Sequence, residues 1–310
     1  MLNTEEYFLV VVQEKSISKA AEKLFMSQQN LSNHIARLEK KYGKLFLRRP
    51  KFSLTPIGSA LYHTLQQIRI LEQGLQNQLQ EWEKAPYGVI RFGIHSARAR
   101  VLFPGILARY RKQYPQVTIQ LFLQDTITNE TMLQNGELDI FLGIDAHQSP
   151  NFHQIPLFHE PICLIANAEV LQAADVVTKN GEIELGDLSR LSFLLSPPIS
   201  NFRQKIDRFL ATYSISLNER MTIGDFEIQL LLAGQSEGAC FCASSFFPKL
   251  RQINQSLPPE KQLRILPVHG MDLTSDISLV CHRLAFPSRI LKGFVQAIKG
   301  ELLPKFASHT

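Results

Sequence analysis

Hydrophobic residues in the first 58 positions have the spacing of short amphipathic helices. A first helix has an apolar face formed by Tyr7, Phe8, Val11 and Val12. A second helix, which we expect Ser18 to cap, has a narrow buried side formed by Ala20, Ala21 and Leu24. Ser27 suits the N-cap of a third helix, whose inward face is formed by Leu31, Ile35 and Leu38. Two short apolar segments, 45–47 and 52–54, then flank a basic turn, which predicts a β-hairpin, or wing.

The stretch after residue 58 predicts one long helix with an alternating 4-3 hydrophobic repeat. Its repeat positions, apolar except for Glu72, are Leu61, Leu65, Ile68, Glu72, Leu75, Leu79 and Trp82. Such a repeat is typical of a coiled-coil seam between two chains, and the alternative is packing against the body of the same chain. We expect the helix to end in a hinge at residues 85–88, Ala-Pro-Tyr-Gly.

Strand and helix patterns alternate beyond residue 88. A first unit has strands at 89–94, 117–123 and 139–144, with helices at 101–114 and 130–138. A second unit has strands at 191–196, 221–224 and 239–242, with helices at 202–213 and 226–233; a strand at 277–282 and a helix at 288–298 follow. This alternation predicts parallel sheets with ligand sites at the carboxyl ends of the strands.

We therefore predict an α/β protein with an all-α, winged-helix head. The winged helix-turn-helix occupies residues 1–58, and the linker helix with its hinge occupies residues 59–87. The two-lobed domain occupies residues 88–310, with lobe I at 88–164 and 270–310 and lobe II at 165–269. Two crossings, near 163–167 and 268–276, should join the lobes.

Composition adds no membrane or metal chemistry to this picture. The chain is 45% hydrophobic and 20% charged, which is ordinary for a globular protein, and it has no run of about 18 apolar residues. Its N-terminus lacks the pattern of a secretory signal, so we expect a cytoplasmic protein with no membrane partner. The four cysteines show neither zinc-ligand nor disulfide-framework spacing.

The charge is concentrated in the head. Residues 1–58 hold ten Lys/Arg and five Asp/Glu, whereas the rest of the chain holds 23 of each. Around the single acid Glu39 lie Arg37, Lys40, Lys41, Lys44, Arg48, Arg49 and Lys51. A basic cluster on an otherwise neutral chain is typical of a polyanion-binding module, and the alternative is a solvated helix face.

The polar face of the third helix favours DNA as that polyanion. Asn and Gln can bond bidentately to adenine in the major groove, and Arg can bond to guanine. The candidate DNA-contacting residues of this helix are Ser27, Gln28, Gln29, Asn30, Ser32, Asn33, His34 and Arg37. In the wing, Arg48, Arg49 and Lys51 are expected at phosphates or in the minor groove. The alternative is an ordinary polar surface helix.

Specific motifs support this interpretation. The string from Ser16 to Leu24, Ser-Ile-Ser-Lys-Ala-Ala-Glu-Lys-Leu, is followed by Ser27-Gln28, Leu31-Ser32, Ile35, Arg37-Leu38-Glu39, Gly43, Leu45-Phe46 and Leu54-Thr55-Pro56-Ile57-Gly58. In order and spacing these resemble the helix-turn-helix of LysR-type transcriptional regulators. Gln29 replaces a usual proline, Asn33-His34 replaces a usual Arg-Gln pair, and the wing is a residue short, which suggests a distinct operator preference.

The resemblance continues through Phe103-Pro104, Tyr114-Pro115, Gly136-Glu137-Leu138-Asp139 and Pro156-Leu157. It implies an effector-binding domain with the fold of periplasmic solute-binding proteins. It also implies an antiparallel dimerisation helix, a homodimer or homotetramer, and double-stranded operator DNA and RNA polymerase as partners. The chain is then expected to regulate transcription, with a small-molecule effector between the lobes and no cofactor.

Turns at strand ends supply the candidate effector-binding residues, which are Ser96, Ala97, Arg98, Asp125, Thr126, Thr128, Ser196, Pro197, Asp225 and Phe226. Ser96 and Arg98 at the start of a helix suggest a carboxylate or other small anion. The alternatives are a surface salt bridge for Arg98 and simple helix capping for Ser96.

Other classes of protein are less well supported. Residues 234–238, Gly-Gln-Ser-Glu-Gly, match a hydrolase nucleophile elbow, with Asp272 and His282 in hydrolase order. That motif needs a strand before the serine and a helix after it, and the predicted order is the reverse. Cys240 and Cys242 could form a redox switch, but we expect buried apolar side chains. A ligand-binding protein without DNA activity would not need the basic head.

Overall fold

The computed structural model describes residues 3–47, 52–80, 87–283 and 288–306. Its head contains α1 (Asn3–Glu14), α2 (Ile17–Lys23), α3 (Gln28–Tyr42) and the antiparallel strands β1 (Phe46–Leu47) and β2 (Ser53–Leu54). Ser27 caps α3 as predicted, because its Oγ accepts the N–H of Asn30 at 3.2 Å. The prediction for Ser18 is wrong: α2 already begins at Ile17, and Ser16 caps it by accepting the N–H of Lys19.

The head has its own hydrophobic core. Leu31, Ile35 and Leu38 of α3 are buried, as predicted, and pack with Phe8 of α1. The ring of Phe46 in β1 lies 5.3 Å from that of Phe8, which fastens the hairpin to the helices. Three helices and a small hairpin around one core confirm the predicted winged helix-turn-helix.

One long helix, α4 (Pro56–Gln80), follows the head. The predicted seam is wrong in its first part, because Leu65 is only 5% exposed and belongs to the core of the head. After Leu65, the exposed large apolar side chains described in α4 are Leu71 and the predicted seam residues Ile68 and Leu75, spaced by three and four residues. We call these three residues the apolar stripe. Trp82 and the predicted hinge residues Ala85 and Pro86 lie outside the described residues, and nothing is described of the Leu79 side chain.

Lobe I is a mixed sheet with helices on its faces. Its elements are β3 (Gly88–Ile94), α5 (Ser96–Arg111), β4 (Val117–Leu123), α6 (Thr126–Gln134), β5 (Ile140–Ile144), the first part of β6 (Phe152–Ala166) and, from the end of the chain, β13 (Thr274–His282) and α11 (Arg289–Phe306). β3 pairs in parallel with β4 and β5, but β13 is antiparallel to both β5 and β6. The alternating pattern predicts a parallel sheet, and this prediction is wrong for β6 and β13, which pair in the antiparallel direction.

Lobe II is built around the second part of β6. Its elements are α7 (Ala168–Ala173), β7 (Ile183–Glu184), β8 (Ser192–Leu195), α8 (Asn201–Ala211), β9 (Asn218–Thr222), α9 (Phe226–Gly234), β10 (Cys240–Ala243), α10 (Phe247–Asn254), β11 (Arg264–Leu266) and β12 (Val268–His269). β8 and β9 are parallel, β12 pairs with β7, and β10 and β11 are antiparallel to β6.

The lobes have separate cores and share β6. Residues of β6 up to Pro161 pair with β13 of lobe I, and those from Ile162 pair with β10 of lobe II. The N–H of Ile162 donates to the carbonyl of Leu273 at 2.8 Å, so the two connecting segments are bonded to each other where the chain crosses. This crossing forms the back of a cleft between the lobes.

Candidate functional sites

The face of α3 opposite its buried leucines is accessible to a partner. Exposed on it and at its start are Ser27, Gln28, Gln29, Asn30, Asn33 and Arg37. Ser32 is half-buried on the flank. Short amide side chains near the start of the second helix of a helix-turn-helix are placed as in proteins that read base edges.

Two of the predicted readers also make contacts within the head. The hydroxyl of Ser18 donates to Oε1 of Gln28 at 3.2 Å, which joins the starts of α2 and α3. The ring of His34 lies edge-on to that of Tyr7, with 4.9 Å between ring centroids, and its Nδ1 is buried. His34 therefore packs against α1 and is less well placed for a base than Gln29 or Asn33.

Glu39 anchors the wing, a role that the sequence does not predict for this single acid among basic residues. Glu39 accepts the N–H groups of Leu45 and Phe46 through Oε1, at 3.0 and 3.3 Å. The predicted wing cations Arg48, Arg49 and Lys51 lie outside the described residues. The contact fixes where the hairpin begins relative to α3.

The cleft between the lobes is ringed by helix N-termini. α5 and α6 of lobe I begin beside it, as do α8 and α9 of lobe II, and their N-caps are His95, Asp125, Ser200 and Asp225. Predicted helices at 101–114 and 130–138 thus begin about one turn earlier than expected. The cleft holds a cavity of about 70 Å³, and the predicted residues that line it are Arg98, Asp125, Thr126, Ser196, Pro197 and Phe226.

Arg98 lies at the floor of this cleft, but its charge is already paired. Its Nη2 donates to Oε1 of Glu160, and its side chain is 2% exposed against 0% for Glu160. Its Nη1 donates to Oγ of Ser245 at 2.9 Å, and the N–H of Ser245 donates to the other oxygen of Glu160. Glu160 lies two residues before Ile162, where β6 passes from lobe I to lobe II, so this ion pair lies at the crossing between the lobes.

The other predicted effector contacts lie beside the cleft. Ser96 and Thr128 are half-buried and do not line the cavity. Ala97 and Asp225 instead line a wider groove of about 730 Å³ between α5, α9 and α10, where Asp225 accepts a hydrogen bond from Arg100 at 3.0 Å. Capping of α5 is done by His95, whose Nδ1 accepts the N–H of Ala97, and not by Ser96.

Aromatic side chains form much of the cleft wall, and sequence reasoning found only one of them. The ring of Phe226 lies 5.0 Å from Phe202 and 5.1 Å from Phe246, and all three line the cavity. Burial lowers the pKa of the neighbouring His95, with Arg98 adding to the effect, so its ring is neutral near pH 7. Phe202 and Phe246 follow strand ends in the same way as Phe226, a signal that could have identified them.

The alternative chemistries have little support in the geometry. Ser236 follows α9 and precedes β10, the reverse of a nucleophile elbow, and its hydroxyl donates to Glu169 at 2.5 Å. Cys240 and Cys242 are buried in β10, and burial raises the pKa of Cys240 to about 12, so both stay protonated thiols. Within the described residues no cluster could hold a metal ion, and no helix is long and apolar enough to cross a bilayer.

Two family models together match most of the chain. Residues 2–59 match the bacterial regulatory helix-turn-helix protein of the lysR family. Residues 83–303 match the LysR substrate binding domain. The first match contains the whole described head, and the second contains lobe II, the cleft and all of lobe I except its last residues.

Individual relatives agree with these matches over long alignments. The HTH-type transcriptional regulator CysL of Bacillus subtilis is 27% identical over 219 residues, which are 70% of this chain and 71% of CysL. A full-length OxyR variant from Pseudomonas aeruginosa superposes with a TM-score of 0.70 at 20% identity, covering 96% of this chain and 94% of that one. Full-length CbnR complexed with target DNA has a TM-score of 0.58 at 17% identity, covering 97% and 99%.

Proposed function

Since this chain belongs to the LysR family of bacterial transcriptional regulators and is thus a DNA-binding regulator with an effector domain, we propose where it reads DNA and where it binds its effector. In this proposal the face of α3 reads operator bases, the wing cations hold the phosphates, and the effector lies in the cleft between the lobes. We keep residues 1–58, 59–87 and 88–310 as its three parts.

The accessible amide face of α3 is the observation that carries the proposal. Gln29 and Asn33 are exposed one helical turn apart, while their neighbours Leu31 and Ile35 are buried in the core of the head. Two heads would bind two half-sites, so we also propose self-association to a dimer or tetramer. RNA polymerase as a further partner, action by binding rather than catalysis, and a cytoplasmic location complete the proposal.

In this proposal the effector is a small molecule, and the residues of the cleft determine which chemistry it can have. Ser96 and Arg98 at the start of α5 predict that the effector is a small carboxylate or other small anion. The pairing of Arg98 with Glu160 favours a different chemistry.

The readers can be tested on DNA from upstream of the gene. Gln29→Ala and Asn33→Ala should each weaken operator binding by about 1–3 kcal/mol and leave binding to random DNA nearly unchanged, because base contacts carry sequence information and phosphate contacts do not. Arg48→Ala and Lys51→Ala should weaken both and reduce the salt dependence by about one ion per residue. Footprinting and titration by fluorescence anisotropy measure these losses.

Gln113→Ala, which removes an exposed amide from the effector domain, is the matched control and should change neither affinity. Equal losses on operator and random DNA for Asn33→Ala would remove it from the readers. If all variants kept full operator affinity, another face of the head would have to bind DNA.

A further inference from the structure

The cations around the cleft are each paired with a carboxylate of the protein. Besides Arg98 with Glu160, Arg203 donates to Asp207 at 2.8 Å and to Glu219 at 3.0 Å, and the carbonyl of the cleft residue Ser196 accepts from the same guanidinium. Lys205 donates to Asp145, which directly follows β5. Among the described residues that line the cavity, Arg98 is the only permanent cation and Asp125 is a carboxylate.

The partial positive charge at the helix N-termini around the cleft is also partly neutralised by side chains of the protein. An N-terminus attracts anions because its first N–H groups lack acceptors. At α6 the carboxylate of Asp125 accepts the N–H of Thr128 at 2.9 Å, and at α9 that of Asp225 accepts the N–H of Glu227 at 2.8 Å. The caps of α5 and α8 are the uncharged groups of His95 and Ser200. Two of the four N-termini therefore already hold an anion of the protein.

The cleft offers a ligand an apolar wall and a hydrogen-bond donor whose charge is already paired within the protein. The Nε of Arg98 is buried at its floor and has no hydrogen-bond acceptor. The rings of Phe202, Phe226 and Phe246 form an apolar wall, and the guanidinium of Arg98 lies 5.4 Å from the centre of the Phe246 ring. A flat apolar group could lie against these rings while an acceptor atom satisfies Arg98 or Ser196.

We propose that the effector is an uncharged molecule with a flat apolar or aromatic part and one hydrogen-bond acceptor, and that the cleft excludes small carboxylates. A buried anion needs a countercharge, and here it would have to displace Glu160 from Arg98 or leave its own charge uncompensated beside Asp125. An uncharged acceptor has no such cost. This inference rests on the proposed function only in calling the occupant of the cleft the effector.

Benzamide and benzoate provide a matched test, because they share a ring and differ in charge. Calorimetric titration of the full chain without DNA should give at least about tenfold tighter binding of benzamide, and Phe226→Ala should weaken it. Glu160→Gln keeps the shape of the side chain and frees the charge of Arg98, so benzoate affinity should rise at least about tenfold. Glu130→Gln, whose carboxylate bonds to His147 outside the cleft, is the control and should change neither affinity.

A second variant covers the case that Glu160→Gln fails to fold. Asp125→Asn retains an effective N-cap on α6 and removes the exposed carboxylate at the rim, so it should also raise benzoate affinity.

Benzoate binding to the unaltered chain in preference to benzamide, abolished by Arg98→Gln, would overturn the proposal. So would folded Glu160→Gln and Asp125→Asn chains that gain no affinity for benzoate. If the unaltered chain binds neither probe but Glu160→Gln binds benzoate, exclusion of anions by the ion pair is supported. Failure to bind operator DNA would affect only the proposed function, because no DNA is present here.

Discussion

Phe25 occupies the turn between α2 and α3 with a φ of 53°, and 98% of its side chain is exposed. The left-handed region costs a residue with a Cβ about 1–2 kcal/mol, and this ring gains nothing in return by burial. Because Asn tolerates this region, Phe25→Asn should stabilise the head by about 1 kcal/mol. Hydrogen exchange of the α3 amides in the full chain measures the change. Ile199→Asn, which removes an exposed apolar side chain at negative φ, should have little effect, and an equal gain there would rule out relief of strain.

Single residues were predictable where the physics is local. Ser27 was identified as an N-cap because capping needs only a hydroxyl three residues before an N–H. The partner of Arg98 was not, since Glu160 is 62 residues away and only the fold brings the start of α5 close to β6. His34 has a polar side chain at a polar helical position, yet Tyr7 covers it. In both cases a distant part of the chain decides the role of the side chain.

The two ends of α4 should respond differently to the same substitution. Leu75 is 54% exposed in the apolar stripe, so Leu75→Glu should weaken self-association and leave the head folded. Leu65 is buried in the head, where Leu65→Ala should cost about 2–5 kcal/mol of stability and Leu65→Glu should unfold it. Sedimentation measures the first effect and circular dichroism the second. A Leu75→Glu chain that kept its full dimer affinity would show that the apolar stripe is not the seam.

Elements with a clear period were predicted, and those without one were missed. Strand β4 was placed at its observed bounds because apolar and polar residues alternate from Val117 to Leu121. The strand β6 was not predicted, since Pro156 and Pro161 interrupt its pattern, although it is the element shared by both lobes. The early starts of α5 and α6 follow from the caps His95 and Asp125, which precede polar first turns that carry no hydrophobic period. The cleft was therefore located correctly but its lining only in part.

At the scale of the molecule, the sequence indicated the order of the parts but not their contacts. The position of the basic charge and the alternation of strands and helices are enough to predict a head, a linker and two lobes in this order. The structure adds that α4 packs against the effector domain at the turn after α6, where Gly136 lies beside Ile70 and Gln66. Gly136 has a φ of 68°, and its carbonyl accepts a hydrogen bond from Arg91 at 2.8 Å. No sequence period links residues so far apart.

This contact places α6 between the cleft and the linker helix, because its first residues line the cleft and the turn that follows it lies beside α4. A Cβ at Gly136 would lie 3.1 Å from Cγ1 of Ile70, whereas one at Gly270, which has a similar φ of 77°, would meet nothing within 4 Å. Gly136→Ala and Gly270→Ala should therefore share a backbone cost of about 1–2 kcal/mol, but only Gly136→Ala should loosen α4 and raise hydrogen exchange around Ile70. In a double-mutant cycle, adding Ile70→Ala to Gly136→Ala should cost less stability than Ile70→Ala alone, since the smaller side chain makes room for the new methyl group. Equal exchange around Ile70 in both single variants would mean that the turn and α4 are not coupled.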